Sequence, residues 1–327
     1  MKYYLGLDVG GTNLAAGVVD ENYHIVEKLS VPTGAGRSIE EITEDMVNVS
    51  QRVVEKAGLS MQNFSSWGIG MPSYVNPATG LLVHANCFGW HNVPIYSYLE
   101  SVIDLPIYVE NDANCAVLGE TLAGCGKGHK NTLMLTLGTG VGGGIIIDGN
   151  IYAGADMLGA ELGHTKLIYK GNRCTCGQLG CVDAYCSARG LVEQAKEALT
   201  ENRESIMLEL CDHDFTKLTA RMVFEAVEQK DITAIRVLDQ YIDYLACAIG
   251  NFVVIFRPEV VILGGGVANA GEALLTPLKK KVYESTFASE QIGIPDIRIA
   301  QCGNDAGIIG AAFLEKYGVD RRKKKVS

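Results

Sequence analysis

The sequence predicts an α/β fold in two internally similar halves, on the strength of three observations. Short apolar runs of strand length alternate with stretches of helical periodicity. A strand, a glycine turn and a returning strand occur twice, around Gly10-Gly11-Thr12 and around Gly138-Thr139-Gly140. The 327 residues are enough for two domains. With 47% hydrophobic and 20% charged residues, the composition is that of a globular chain able to bury a sizeable core. The net charge of −10 argues against nucleic acid or an anionic membrane as the main partner, because both need clustered positive charge. The one basic run, 321–325, reads as a solvated tail. No apolar run reaches the roughly 18 residues of a membrane span, and the N-terminus enters a strand pattern at once, without a cleavable signal. Ten cysteines in such a chain point to a reducing cytoplasm, with the thiols free or metal-bound.

Along the chain, Tyr3 to Asp8 is an apolar run that stops at Asp8-Val9-Gly10-Gly11-Thr12-Asn13; strands Leu14 to Asp20 and His24 to Val31 follow. The hairpin tip at Gly10, Gly11, Thr12 and Asn13 can present backbone N–H groups to a phosphate, and Asp8 beside it suits a hydrated Mg²⁺. An ordinary glycine hairpin is the alternative. Ser38 and Glu41 form a capping box for a helix to Ala57, whose apolar face is Ile39, Ile42, Met46, Val49 and Val53. Trp67 to Met71 is a buried strand, Pro77 to Gly80 a turn, Leu81 to His84 a short strand, and Asn86 to Trp90 a loop. In that loop Asn86 has the amide to hydrogen-bond a sugar hydroxyl and Trp90 the surface to face a sugar ring; a capping Asn and a half-buried Trp fit as well.

The strand Ile107 to Glu110 runs into Asn111-Asp112-Ala113-Asn114, where the helix Ala113 to Leu122 begins. Asp112 is either a helix cap or a ligand at the C-terminal end of a strand, the place where open α/β sheets bind ligands. Thr132 to Leu137 is a strand that turns through Gly138, Thr139, Gly140 and on to Gly144 before Ile145 to Asp148. No helix opens after these glycines, which excludes a Walker loop and a dinucleotide fingerprint. Helices are expected over Ser187 to Leu199, Leu218 to Val227 and from Asp231 to Phe256. The last carries an apolar stripe of Ile235, Leu238, Ile242, Leu245, Ile249, Phe252 and Phe256. The strand Glu259 to Leu263 leads to a third glycine turn, Gly264-Gly265-Gly266, where an adenine or ribose could lie against bare backbone. A strand over Ile297 to Gln301 and a helix over Asp305 to Lys316 complete the chain.

The richest stretch chemically is 159–183. Cys174, Cys176 and Cys181 stand in a C-x-C-x4-C cluster ten residues after His164, a complete ligand set for tetrahedral structural zinc. Three cysteines that are neighbours by accident are the alternative. Such a zinc site is closed, so its role is to hold a loop still, and Glu161 is the first candidate for what that loop presents.

DVGGTN at 8–13, ENDAN at 110–114, LGTGVGGG at 137–144, GAELGH at 159–164, CTCGQLGC at 174–181 and LGGGV at 263–267 together resemble the ROK family over nearly the whole chain. The resemblance implies the actin-like ATPase (ribonuclease H-like) fold, two α/β domains with nucleotide and sugar in an interdomain cleft. The expected division is 1–112 plus 305–327 against 113–304. It implies ATP, Mg²⁺ and structural Zn²⁺ as cofactors, a hexose as partner, and a homo-oligomer, dimer or tetramer, in the cytoplasm. By the same resemblance Asp112 is the catalytic base of glucose 6-hydroxyl phosphorylation. Asn86, Asn111, Asp112, Glu161 and His164 line the sugar site, and His164 with the three cysteines holds zinc. N-acetylmannosamine, N-acetylglucosamine, fructose and allose are alternative substrates. A repressor of this family needs an added DNA-binding domain, and a non-catalytic sugar-binding module is expected to lose Asp112 or the glycine turns. The chain departs from the family at Asp183, where Glu is usual. A shorter side chain lengthens any contact of this residue with a sugar hydroxyl.

Overall fold

The computed structural model describes residues 1–34, 36–76, 79–85 and 87–317. Asn86, the turn at Pro77-Ala78 and the basic run 321–325 lie outside the described residues. Strands β1 (Tyr3–Val9), β2 (Asn13–Asp20) and β3 (Ile25–Pro32) form an antiparallel meander, with Val9 opposite Leu14 at the first tip. Helix α1 (Ile39–Lys56) starts at the expected cap: Ser38 Oγ accepts from the Glu41 N–H, and the Glu41 carboxylate accepts from the Ser38 N–H at 2.9 Å. Strand β4 (Trp67–Met71) is buried throughout.

The short strand expected over Leu81 to His84 is β5 (Leu82–Ala85); beyond the turn at 87–89 it pairs with a strand the sequence did not announce, β6 (Trp90–Val93), followed by α2 (Ile95–Glu100). Trp90 starts β6, is 7% exposed and meets the Phe88 ring at 4.6 Å. It is a core residue rather than a platform for a sugar ring. Strand β7 (Ile107–Asn111) leads directly into α3 (Asp112–Ala123). The first sheet has the order β3-β2-β1-β4-β7, with β1, β4 and β7 parallel.

Strands β8 (Thr132–Leu137), β9 (Val141–Ile147) and β10 (Asn150–Ile151) open the second sheet. β9 begins four residues earlier than the glycine run suggests, so Gly142, Gly143 and Gly144 belong to the strand and the turn is confined to 138–140. The strand needs glycine there: a Cβ on Gly144 would lie 2.6 Å from the Ala113 carbonyl oxygen. Helices α4 (Asp183–Cys186), α5 (Ala188–Glu201), α6 (Ile206–Leu210), α7 (Ala220–Glu228) and α8 (Ile232–Phe256) follow. The α8 stripe is buried from Leu238 to Phe252, whereas Ile235 is 43% exposed. Strand β11 (Val260–Gly264), helices α9 (Glu272–Ser285) and α10 (Ser289–Ile292), and β12 (Asp296–Ile299) complete this part. Periodicity does not mark α9 in advance, because Pro277 stands inside it. The order β10-β9-β8-β11-β12 repeats the connectivity of the first sheet, which bears out the two similar halves. The final helical stretch is broken at Phe313 into α11 (Asp305–Ala312) and α12 (Leu314–Tyr317).

The chain divides into two compact units. The first is Met1–Thr132 with Gly144–Ala160 and Gln301–Ser327, and the second is Leu133–Gly143 with Glu161–Ala300. Within the first unit, α11 lies backbone to backbone on its neighbours. A Cβ on Gly119 of α3 would stand 2.1 Å from the Ala306 oxygen, and one on Gly310 would stand 1.8 Å from the Cys115 oxygen. Gly119→Ala is therefore expected to destabilise by about 3 kcal/mol or more, because backbone rather than a flexible side chain must move. Denaturant unfolding checks this; a loss under about 1 kcal/mol would mean that α3 and α11 are free to separate.

Candidate functional site

In the first unit the candidate residues gather at the C-terminal ends of β1 and β7. Asp8 is the second-last residue of β1, and Gly307 of α11 faces it, since a Cβ there would come 2.7 Å from the Asp8 carboxyl carbon. Burial pushes the Asp8 carboxyl up to about 7, and the charge of Asp112 adds to the shift. The two carboxyls therefore feel each other although they are 104 positions apart (112 − 8). The hairpin tip is closed by the Gly10 N–H donating to the Asn13 carbonyl at 2.9 Å. Thr33 anchors it, its hydroxyl donating to the Gly10 carbonyl at 2.7 Å and its N–H to Thr12 at 2.8 Å. Thr12 and Asn13 are exposed at this tip. Cys87 packs on the glycines, its Cβ 3.1 Å from where a Gly11 side chain would begin. Burial raises the Cys87 thiol, and Asp112 contributes, so all four elements share one environment.

Asn111 rather than Asp112 caps α3: its side-chain oxygen accepts from the N–H groups of Ala113 at 2.9 Å and Asn114 at 3.2 Å. Asp112 is the first residue of the helix, where unpaired backbone N–H groups favour negative charge. Behind it, buried Glu110 accepts from the Asn111 N–H at 2.9 Å and from the Asn114 amide at 3.2 Å. Glu110 lies within the ENDAN stretch and acts locally, on Asn111 and Asn114. Thr33 carries no motif signal, because its contacts with Gly10 and Thr12 form only when the hairpin strands come together.

In the second unit the turn 138–140 is closed by the Gly138 N–H donating to the Gly140 carbonyl at 3.0 Å. Thr139 and Gly140 are exposed. Of the third glycine group, Gly264 is buried in β11 against the Met134 methyl, while Gly265 and Gly266 are exposed. Gly265 has φ of +83° and lies on the Leu137 backbone, so a side chain at this position is excluded by both conformation and space.

The loop ahead of α4 brings His164, Cys174, Cys176 and Cys181 together, with their ligand atoms all within 4.8 Å of one another. Cys176 and Cys181 sulfurs are 3.8 Å apart, and Cys174 Sγ is 3.8 Å from His164 Nδ1. Tetrahedral zinc with Zn–S bonds of about 2.3 Å requires sulfurs about 3.8 Å apart, so this donor set fits the ion. Among the described residues no other group of three or more His, Cys, Asp or Glu converges in this way. The Cys174 N–H bonds the Gln178 carbonyl at 2.8 Å, and Gly177, with φ of +87°, makes the turn between them. Lys166 Nζ lies 3.3 Å from the Cys181 sulfur, a second partner that the spacing of the cysteines did not disclose. With Nδ1 on the cysteine side, His164 keeps Nε2 on the opposite side of its ring. Glu161 ends the preceding loop; it is exposed as a residue, yet protein atoms around its carboxyl raise its pKa, with His164 opposing.

Asp183 differs most from expectation. It is 3% exposed, one carboxylate oxygen accepts from the Val141 N–H at 2.8 Å, and the other pairs with Arg189 at 2.6 Å. Its oxygens are thus engaged by the protein. Among the described residues no helix is long and apolar enough to cross a membrane.

Two sheets of like connectivity, glycine-turn hairpins at matching places and a Cys₃His loop define a protein of the actin-like ATPase fold. The ROK family model matches residues 4–317, and the chain belongs to the ROK family. A glucokinase of Halalkalibacterium halodurans is 38% identical over 99% of this chain and 98% of its own length. An N-acetyl-D-glucosamine kinase of Pasteurella multocida is 30% identical over 96% of this chain and 99% of its own. The crystal structure of a ROK family glucokinase from Streptomyces griseus in complex with glucose and AMPPNP superposes with a TM-score of 0.80. It is 33% identical and covers 95% of this chain and 98% of that one.

Two measurements test this geometry. Cys176→Ser is expected to lower bound zinc well below one per chain and to depress Tm, as metal analysis and calorimetry will read. Full retention of zinc would remove Cys176 from the site. For Asp8 the folded pKa lies above the unfolded one, so its contribution to stability is complete below pH about 3.8 and is lost as pH rises through about 7. Wild-type Tm is therefore expected to fall relative to Asp8→Asn between pH about 4 and about 7, and to run parallel above that. A difference independent of pH would mean that Asp8 ionises as an ordinary carboxyl.

Proposed function

We propose that this chain is a sugar kinase that transfers the γ-phosphoryl group of MgATP to the 6-hydroxyl of glucose, with Asp112 as the base. The observation that carries the reading is the position of Asp112. It is a carboxylate on the first turn of α3, at the C-terminal end of β7, electrostatically linked to Asp8 at the end of β1. A glucokinase at 38% identity over almost the full length, against 30% for the N-acetylglucosamine enzyme, favours glucose.

In this mechanism the sugar hydroxyl oxygen attacks the γ-phosphorus, the bond to the β–γ bridging oxygen breaks, and ADP leaves. The hydroxyl proton passes to Asp112. A carboxylate is a weak base toward an alcohol, so the proton moves late, when the new P–O bond is largely formed. The hairpin tips, 11–13 in the first unit and 139–140 in the second, offer backbone N–H groups to phosphate, and the exposed Gly265 and Gly266 leave room for a nucleoside. Asp8 would hold Mg²⁺ through water, and the ion would supply positive charge to offset that of the phosphates. Asn111 in the first unit, and Glu161 and His164 in the second, supply the polar groups for sugar hydroxyls, as the family resemblance implies. The His164, Cys174, Cys176 and Cys181 set would hold zinc, which keeps the loop bearing Glu161 in place.

An ADP-release assay over a panel of hexoses, run beside Asp112→Asn, tests the proposal. Turnover is expected to be fastest on glucose, and kcat in the variant to fall about 10²-fold or more with sugar binding retained. Turnover on N-acetylglucosamine with none on glucose would reassign the substrate and leave the base. An Asp112→Asn variant with undiminished kcat would remove Asp112 from the chemistry.

A further inference from the structure

Asp183 offers an inference that rests on the kinase reading and deepens it. We infer that Asp183 is a positioning residue of the nucleotide turn, whose carboxylate ties the metal loop and α5 to residues 138–141 instead of holding sugar.

The geometry is specific. Asp183 follows the last cysteine of the metal loop by two residues and opens α4. Its Oδ2 accepts the Val141 N–H at 2.8 Å, at the point where the turn becomes β9. A Cβ on Gly140 would lie 2.7 Å from the same oxygen, so the carboxylate occupies the space that a side chain in the turn would need. The other end of the turn is held by α5, whose first N–H, that of Ala188, donates to the Gly138 carbonyl at 2.8 Å. Both ends of the turn are thus gripped by residues that directly follow the metal loop. With its side chain 5% exposed and both oxygens engaged, Asp183 has little surface left for a sugar hydroxyl.

Arg189 completes the device. Oδ1 of Asp183 lies 2.6 Å from the Arg189 guanidinium and 3.4 Å from Cys174 Sγ. With zinc bound, that sulfur has no proton to donate, so two anionic atoms face each other in a buried site. The guanidinium supplies the opposing charge. Without it the carboxylate would keep the Val141 N–H but lose this cationic partner on the side that faces the sulfur.

The test uses zinc-loaded wild-type protein, Asp183→Asn, Asp183→Ala, Arg189→Met and the double variant Arg189→Met/Asp183→Asn. Zinc release to a chromophoric chelator, MgADP binding by calorimetry, and KM for MgATP and glucose are measured. Arg189→Met is expected to speed zinc release about 10–100-fold, and the double variant to recover most of this, because an amide places no charge beside the sulfur. Asp183→Ala is expected to weaken MgADP binding and raise the MgATP KM about tenfold, with the glucose KM changed less than about twofold. Asp183→Asn, which preserves the shape, is expected to shift the same quantities less. A rise in glucose KM with MgADP binding and zinc release unchanged would make Asp183 a sugar ligand and overturn the inference. A double variant that releases zinc as fast as Arg189→Met would overturn it too. If wild-type protein turns over no hexose yet binds MgADP, the kinase reading fails alone, and MgADP affinity with zinc release still decides the role of Asp183.

Discussion

The close seating of α11 on its neighbours is the constraint on which the first unit depends. Built side chains at Gly6 of β1 and Gly68 of β4 would stand 2.2 and 1.7 Å from carbonyl oxygens of α11. Glycines do the same between α11 and α3. Removing Cβ from both partners lets main chains touch, so dispersion contact is gained where a side chain would hold the elements apart. The functional consequence is local. Gly307 of α11 sits on the Asp8 carboxyl and strips it of water, and α3 carries Asp112 close enough to oppose its ionisation. A packing requirement in the core thereby becomes an electrostatic property of the candidate site.

The second unit solves a different problem, that of fixing a loop with almost no core of its own. Residues 161–182 hold short turns and isolated bridges instead of long elements. Four soft and borderline donors converging on one point replace the burial that such a segment lacks. Lys166 beside Cys181, and the Asp183–Arg189 pair beside Cys174, then connect the donor set to the surrounding chain. Membership of the ROK family agrees with this arrangement, and the S. griseus glucokinase shares the fold over nearly the whole length.

Legibility varied with how local each signal is. The capping box at Ser38 and Glu41 and the Asp231 cap of α8 were readable because hydrogen bonds within three residues specify them, and strands β4 and β8 because each is a largely apolar run. Strand β6 was not, since it is four residues long and packs Trp90, beside Phe88, into a core built from distant strands and helices. The start of β9 was hidden by glycines that look like a turn but serve the approach of α3. Likewise Asn111 took the capping role, because its backbone is extended and its amide oxygen reaches the N–H groups of both Ala113 and Asn114, whereas Asp112 is already the first helical residue and accepts from Ala113.

By itself the sequence determined the α/β class, the doubled strand–glycine–strand plan and which four side chains, His164 and three cysteines, converge as a donor set. Each of these is written in spacing along one stretch of chain: two for strands, three and four for helices, and C-x-C-x4-C for the metal loop. Only the tertiary structure decided which charged groups meet. Asp8 with Asp112, Thr33 with Gly10, and Asp183 with Val141 and Arg189 are partners set by how sheets and helices pack. Charge and hydrogen-bond energies depend on distance in space and on burial, and neither quantity is a function of position in the sequence.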